Sequence, residues 1–215
     1  MAFVAVIVVF AGFSPTYYMR SSELPPLSLL LRVHGVIFTA WIVLFLAQAS
    51  LITVQRADIH RRLGILGATL APFMVVIGTM ASLDSFRRGV SGPGFDPRTL
   101  LSIPLGSIFV FAVLVAVGVA LRRQVEAHKR YMLLATINLL SPAIGRLLLM
   151  SDAPVALLFP ITSLLVGALI LHDMVSRGRA HPASVHGALL IVLFKPLLTV
   201  AANTPLWFAF TELLR

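Results

Sequence analysis

Residues 99–121 read TLLSIPLGSIFVFAVLVAVGVAL and contain no charged side chain. An α-helix rises 1.5 Å per residue, so a stretch of this length crosses a hydrocarbon core of about 30 Å. In hydrocarbon the backbone must satisfy its own hydrogen bonds, which a helix does within one segment. The stretch therefore predicts a membrane-spanning helix, and the interpretation of the rest of the chain starts from it.

Comparable apolar segments recur along the chain and predict seven spans, at about 3–19, 29–53, 60–83, 99–121, 129–150, 154–175 and 184–212. The first segment is the weakest, because Pro15 interrupts it and Arg20 ends it early. It lacks a basic start and a small-residue cleavage motif, so we expect a short first span rather than a signal peptide. The expected fold class is an all-α polytopic transmembrane helical bundle, with residues 1–215 forming a single integral membrane domain.

Composition supports this class and excludes others. The chain is 59% hydrophobic and 12% charged, whereas soluble domains have about 45–50% apolar and 25% charged residues. A soluble fold, a disordered chain and a nucleic-acid-binding domain are excluded despite the net charge of +9. The absence of cysteine also excludes disulfides, thiolate ligands and iron–sulfur clusters.

Breaks between the spans carry helix-end signals. Asp58 is expected to cap the third helix, and Pro182 to open the last one. Pro25 and Pro26 fall in the first connection, and residues 85–98 are the longest predicted loop. Prolines inside spans are expected to kink helices without ending them; they are Pro72, Pro104, Pro142, Pro160 and Pro196.

Basic residues set the orientation. We call the membrane face that carries the N-terminus side A and the opposite face, which includes Arg215, side B. Of the 17 Lys and Arg residues, nine fall on side A and six on side B. The positive-inside rule then predicts that side A is cytoplasmic. We expect a cytoplasmic (inner) membrane protein that contacts lipid and binds no nucleic acid.

Histidines are concentrated on side A, at or near helix ends: His60, His128, His172, His181 and His186. Imidazole ligates haem iron and other transition metals. The expected cofactor is one haem b near side A, with His60 and His128 as axial ligands and His186 as a substitute. Its propionates would meet the basic residues Arg61, Arg62, Lys129 and Arg130. The alternative is that these histidines only hydrogen-bond headgroups and loop carbonyls.

A second polar site is predicted near side B. His34, Trp41 and Gln48 recur every seven residues and form one stripe on the second helix. Arg146 lies at a depth similar to His34, where a guanidinium without a partner is costly. Its distance of 18 residues from His128 is five turns, which predicts one shared helix face. His34 and Arg146 could bind a propionate, a quinone or another anionic group; the alternatives are packing for His34 and snorkelling for Arg146.

Two other polar residues suggest competing chemistry. Lys195 in the seventh segment raises the possibility of a retinal Schiff base, but no acidic residue lies mid-membrane to serve as its counter-ion. It is expected instead to donate to carbonyls exposed by Pro196 or to face a lumen. Asp173 beside His172 could join His128 or His186 in a metal-dependent enzyme site.

The motifs over residues 34–147 resemble a family of predicted bacterial multi-pass membrane proteins that carries a domain of unknown function. The resemblance consists of His34 and Gln48, then His60-Arg61 with Gly64, then His128-Lys129 with Met132 and Arg146. These histidines are similar to those of cytochrome b561-like and ferric-reductase-like membrane cytochromes, which implies haem. Those proteins pair histidines on facing helices, and side B offers only His34, so one haem on side A is the most that the resemblance implies.

The sequence therefore predicts a haem-binding membrane protein that transfers electrons, with quinone or a redox complex as partner. Two alternatives stay open. One is a non-catalytic accessory or assembly subunit of a larger membrane complex or oligomer. The other is a membrane enzyme that uses a metal held by histidines.

Overall fold

The computed structural model describes residues 1–24, 26–92 and 94–214 and contains helices but no strands in these ranges. The helices are α1 (Ala2–Phe13), α2 (Leu29–Thr53), α3 (Ala57–Arg87), α4 (Pro97–Ala120), α5 (Val125–Asn138), α6 (Ser141–Met150), α7 (Leu158–Arg177), α8 (Pro182–Ala201) and α9 (Pro205–Glu212). One π-helical segment, Ser14–Tyr18, continues α1. The predicted all-α bundle is confirmed. Pro25, predicted in the first connection, and Arg215, predicted on side B, lie outside the described residues.

Six helical segments of the described chain are long and apolar enough to cross a membrane: Leu29–Thr53, Ala57–Arg87, Pro97–Ala120, Val125–Met150, Val155–Arg177 and Pro182–Ala201. The first predicted span is a shorter apolar helix, Ala2–Tyr18. The most buried of the six are the fourth helix and the segment that contains α5 and α6. Large apolar side chains on the outer helices remain uncovered, as Leu164 at 73% exposure shows, and this is the surface that hydrocarbon would cover.

Several predicted helix ends need correction. Asp58 does not cap α3, because Arg56 occupies the cap position and Asp58 lies in the first turn. The loop predicted at residues 85–98 is shorter than expected, since α3 continues to Arg87 and α4 begins at Pro97. The last predicted span, 184–212, is interrupted after Ala201, and α9 begins after the Thr204 cap. Pro182 does open α8 as predicted.

Asp96 begins α4. Its carboxylate accepts hydrogen bonds from the backbone N–H groups of Arg98, at 2.8 Å, and Thr99, at 3.3 Å. The Thr99 hydroxyl donates a third, at 2.6 Å. These donors, led by the Thr99 hydroxyl, hold the pKa of the Asp96 carboxyl below its ordinary value. The loop thus ends in a side-chain cap that satisfies exposed helix N–H groups.

The span that contains α5 and α6 is one apolar segment but not one helix. Proline has no N–H, so Pro142 leaves the carbonyl of Asn138 without its helical donor. Leu139 and Leu140 form a turn at this point, and the Ser141 hydroxyl donates to the Asn138 carbonyl at 3.3 Å. The prediction that Pro142 would only kink the helix is therefore wrong, because the helix is interrupted at Leu139 and Leu140, whose N–H groups donate three residues back, to Thr136 and Ile137.

A close contact joins α1 to α6. A Cβ atom added to Gly12 would lie 2.5 Å from the carbonyl oxygen of Ala143. Small residues at such crossings let helix backbones approach closely in membranes. Gly12 therefore fixes how the short first helix docks on the bundle.

Gly12→Ala is expected to lower the free energy of unfolding by about 1–3 kcal/mol, because the added methyl forces α1 away from α6. Thermal unfolding in a neutral detergent measures the change. Gly145→Ala is the matched control, since nothing lies within 4 Å of its added Cβ. Equal melting temperatures for the two variants would contradict the close packing of α1 on α6.

Candidate functional site

A cavity of about 700 Å³ lies near side A, lined by residues of α1, α2, α3, α4, α5 and α7. We call it the side-A cavity. Its polar lining consists of Gln48, His60, His128, Lys129, Arg130 and His172. Apolar and aromatic side chains, among them Trp41, Phe45 and Leu169, form the rest of the wall. An apolar cavity with a few convergent polar groups is the usual form of a cofactor site.

His60 and His128 lie close together in the lining of this cavity. Their ring centroids are 6.3 Å apart and the ring planes are nearly perpendicular, at 87°. His60 lies in the first turn of α3 and His128 in the first turn of α5. Both predicted axial ligands are thus brought together, from the side-A ends of two different helices.

Each ring has Nδ1 against a backbone carbonyl. Nδ1 of His128 lies 2.8 Å from the carbonyl oxygen of Gly118, and Nδ1 of His60 lies 3.4 Å from that of Gln48. A carbonyl can only accept, so Nδ1 of His128 is the donor in this bond, and Nε2 is the ring nitrogen that this bond does not use. This is the arrangement by which proteins orient histidines that bind metals.

Gln48, which lines the cavity, has a side-chain oxygen without a hydrogen-bond partner among the described residues. This Oε1 atom is buried. Buried polar atoms are normally paired. Trp41, one helical repeat away on the predicted stripe, is satisfied, because its Nε1 donates to the Thr136 hydroxyl at 3.3 Å.

Arg130 is neutralised inside the bundle. Its guanidinium is 3% exposed and forms a bidentate ion pair with Asp173, which is completely buried. Asp173 also accepts hydrogen bonds from the Ser184 hydroxyl at 2.5 Å and the His181 backbone N–H at 3.3 Å. The pair joins α5, α7 and α8. Arg130 is therefore committed to a structural ion pair, and Asp173, once considered for a metal site, faces a cation.

Glu126 links further cations to this pair. It accepts from Arg130 at 2.5 Å, Lys129 at 2.6 Å and Arg177 at 2.8 Å. Two carboxylates, those of Glu126 and Asp173, thus serve three cations, and the cluster keeps a positive charge. Lys129 is the most exposed of the three, at 57% of its side chain, and lines the cavity. It is the cation best placed to meet an anionic group there.

Other predicted ligands lie elsewhere. His186 is exposed on α8, and Arg61 and Arg62 are exposed on α3; none of the three lines the side-A cavity. His181 caps α8 by accepting from the Ala183 N–H, and burial, followed by the charges of Arg130 and Arg177, lowers its pKa. In the part of the chain that the structure describes, no three His, Asp or Glu residues come together as a metal-binding group.

His34 and Arg146, the predicted second site, line one cavity of about 470 Å³ near side B. We call it the side-B cavity. His128 and Arg146 belong to different helices, because the break after Asn138 separates α5 from α6, and the two side chains line different cavities. The five-turn spacing assumed one unbroken helix, which the turn at Leu139 and Leu140 interrupts, so the shared face stays a prediction.

Lys195 supports the break in this span. Its Nζ donates to the Ser141 hydroxyl at 2.5 Å, and Ser141 in turn donates to the Asn138 carbonyl. The expectation that Lys195 serves the carbonyls exposed by Pro196 is therefore replaced by a role at Pro142. Among the described residues, the ion pairs formed by acidic side chains do not include Lys195.

Helices of membrane length around two largely apolar cavities that carry a few polar groups define a multi-pass helical membrane protein. No family model, no curated protein and no solved structure matches the chain. The two cavities are therefore the features of the molecule that bear on its function.

Proposed function

We propose that the protein binds one haem b in the side-A cavity and transfers electrons through it, with His60 and His128 as the axial ligands. The observation that carries the proposal is the close pair of imidazoles, with centroids 6.3 Å apart. Imidazole nitrogen lies about 2 Å from a bound metal ion. Two such distances plus the ring radius on each side give about 6 Å, close to the observed separation.

The number of ligands favours haem over a bare metal ion. Two histidines converge, whereas a protein-bound zinc takes three or four protein ligands. A porphyrin brings its own four nitrogens and needs only two axial ligands from the chain. Bound haem would supply one-electron chemistry whose potential depends on its axial ligands and surroundings.

The chain's own residues have distinct tasks in this proposal. The Gly118 carbonyl orients the His128 ring by its contact with Nδ1, and Nε2 is the ring nitrogen that would bind the iron. Lys129, the most exposed cation of the cluster, lines the cavity and would pair with a propionate. It would take the role predicted for Arg61, Arg62 and Arg130. Trp41 and its apolar neighbours exclude water, which tunes the redox potential of a metal site.

Placement of the site near side A sets where electrons would enter or leave. We propose that side A faces the cytoplasm, following its excess of basic residues, and that the membrane is the inner membrane. The redox partner would then be a quinone in the bilayer or a protein complex at this face.

An absorption spectrum of the purified protein tests the proposal directly. We expect a Soret band in the oxidised protein and a sharp α-band after reduction with dithionite, with one haem per chain by pyridine haemochrome assay. A colourless, metal-free protein after expression with added haem precursor would contradict it and favour an accessory subunit. Zinc, copper or iron without haem would instead favour the metal-dependent enzyme.

A further inference from the structure

The side-B cavity has an apolar body and a cationic end. Its walls include Phe38, Ile42 and Ile108, and Arg20 and Arg146 are its charged residues. No Asp or Glu belongs to its lining among the described residues. A cavity of this kind, closed by helices from both halves of the chain, is complementary to a ligand with an apolar chain and a negative head.

Arg146 is held in the membrane without a carboxylate. Its Nη1 donates to the Pro142 carbonyl at 3.1 Å, and its guanidinium lies 4.4 Å from the centre of the Phe13 ring. No ion pair links Arg146 to an acid within 1–24, 26–92 and 94–214. An arginine at membrane depth costs about 2.5–3.5 kcal/mol even on the mildest scale, and a carbonyl and an aromatic ring offset only part of that.

The direction of the Arg146 side chain argues against snorkelling. Since α6 runs from Ser141 toward Met150 and side B, Pro142 lies one turn deeper in the span than Arg146. A snorkelling arginine extends toward the interface. Arg146 extends away from the side-B interface, toward Pro142 and the cavity that it lines.

Two buried polar atoms at the same cavity have no hydrogen-bond partner among the described residues: Nδ1 of His34 and Oγ1 of Thr16. The His34 ring stacks on Phe38 with centroids 4.1 Å apart, which fixes the ring plane. Each unpaired atom can donate a hydrogen bond. Two donors without partners, and Arg146 without an acidic partner among the described residues, indicate a ligand that accepts hydrogen bonds and carries negative charge.

We propose that the side-B cavity binds an amphiphile with an oxyanion head, either a fatty carboxylate or the phosphate of an anionic lipid. The head contacts Arg146 and His34, and the apolar chain lies along Phe38, Ile42 and Ile108. A guanidinium matches the planar, bidentate geometry of carboxylate and phosphate. The proposal is independent of haem in the side-A cavity and applies equally to an accessory subunit.

Ligand-dependent thermal stability of the full chain in a neutral detergent tests this. The probes are oleate, oleyl alcohol, phosphatidylglycerol and inorganic phosphate. A ligand that binds only the folded protein raises its melting temperature in a saturable way. We expect oleate, phosphatidylglycerol or both to raise it by several degrees, and oleyl alcohol and inorganic phosphate to leave it unchanged. Oleate alone assigns a carboxylate head, and phosphatidylglycerol alone a lipid phosphate.

Variants separate this site from general attraction to a basic protein. Arg146→Gln is expected to abolish the shift, and Arg146→Lys to keep part of it. Arg32→Gln is the matched control, because Arg32 is an exposed side-B cation outside the cavity lining; it should keep the full shift.

Several results would overturn the proposal. They are no saturable shift with either anionic probe, an equal shift with oleyl alcohol, a shift with inorganic phosphate alone, or an equal loss in Arg32→Gln and Arg146→Gln. If Arg146→Gln does not fold, two measurements still test the proposal. They are the shift in Arg146→Lys and the contrast between oleate and oleyl alcohol on the unaltered chain.

Discussion

His128→Ala protein, purified alongside the unaltered chain, is expected to carry at least about tenfold less haem, since even groups that merely support a metal ligand change affinity by about 10–100-fold. His128 has the better-fixed ring of the two proposed ligands, because the Gly118 carbonyl holds its Nδ1 at 2.8 Å. Removing it deletes one axial ligand and leaves a gap of imidazole size. The Soret absorbance per mole of chain measures the loss.

Exogenous imidazole distinguishes loss of a ligand from loss of the fold. Imidazole added to His128→Ala is expected to restore a low-spin spectrum, because it can occupy the gap and supply the missing nitrogen. His186→Ala is the matched control: the side chain is exposed on α8 and outside the cavity, so its spectrum should not change. An unaltered spectrum in His128→Ala, or its loss in His186→Ala, would show that the axial assignment is wrong.

Asp173→Asn is expected to lower the free energy of unfolding by about 3–5 kcal/mol, the usual cost of removing one member of a buried ion pair. The substitution keeps the shape of the side chain and removes its charge. Arg130, only 3% exposed, then loses its main counter-ion and keeps only Glu126. Three helices meet at this pair, so the unfolding temperature in detergent is the appropriate measurement.

Asp58→Asn provides the control for Asp173→Asn. Asp58 pairs with Arg56 at 3.1 Å, but both side chains are more than half exposed. Exposed pairs contribute at most about 1 kcal/mol, so this variant should unfold close to the unaltered protein. Similar melting temperatures for the two variants would mean that the Arg130–Asp173 pair does not hold the bundle together.

Hydropathy predicted the bundle because membrane insertion depends on the local free energy of transfer, which each segment carries in its own sequence. Local rules also placed Pro182 at the start of α8. They failed at Pro142, where the Ser141 hydroxyl donates to the exposed Asn138 carbonyl and itself accepts from Lys195. That support comes from a helix 54 positions later in the chain, which a local rule does not take into account.

At the two sites, too, local sequence patterns predict the position of a residue along its helix but not its contacts with distant residues. His60 and His128 could be assigned to one membrane face from their positions at helix starts. Their close approach depends on how α3 and α5 are rotated and packed, which single-sequence patterns do not give. The Arg130–Asp173 pair was missed, although a signal existed: each residue lies about a turn and a half from the side-A end of its helix, so both have similar depth.

The interruption after Asn138 divides one membrane span into two helices, and each contributes side chains to a different cavity. His128 belongs to α5 and Arg146 to α6, and the turn at Leu139 and Leu140 lies between the two helices. One residue inserted at that turn would rotate α6 by about 100° relative to α5, displacing Arg146 without disturbing His128. A change confined to this turn would therefore alter the side-B cavity, which Arg146 lines, and leave the side-A cavity, which His128 lines, in place.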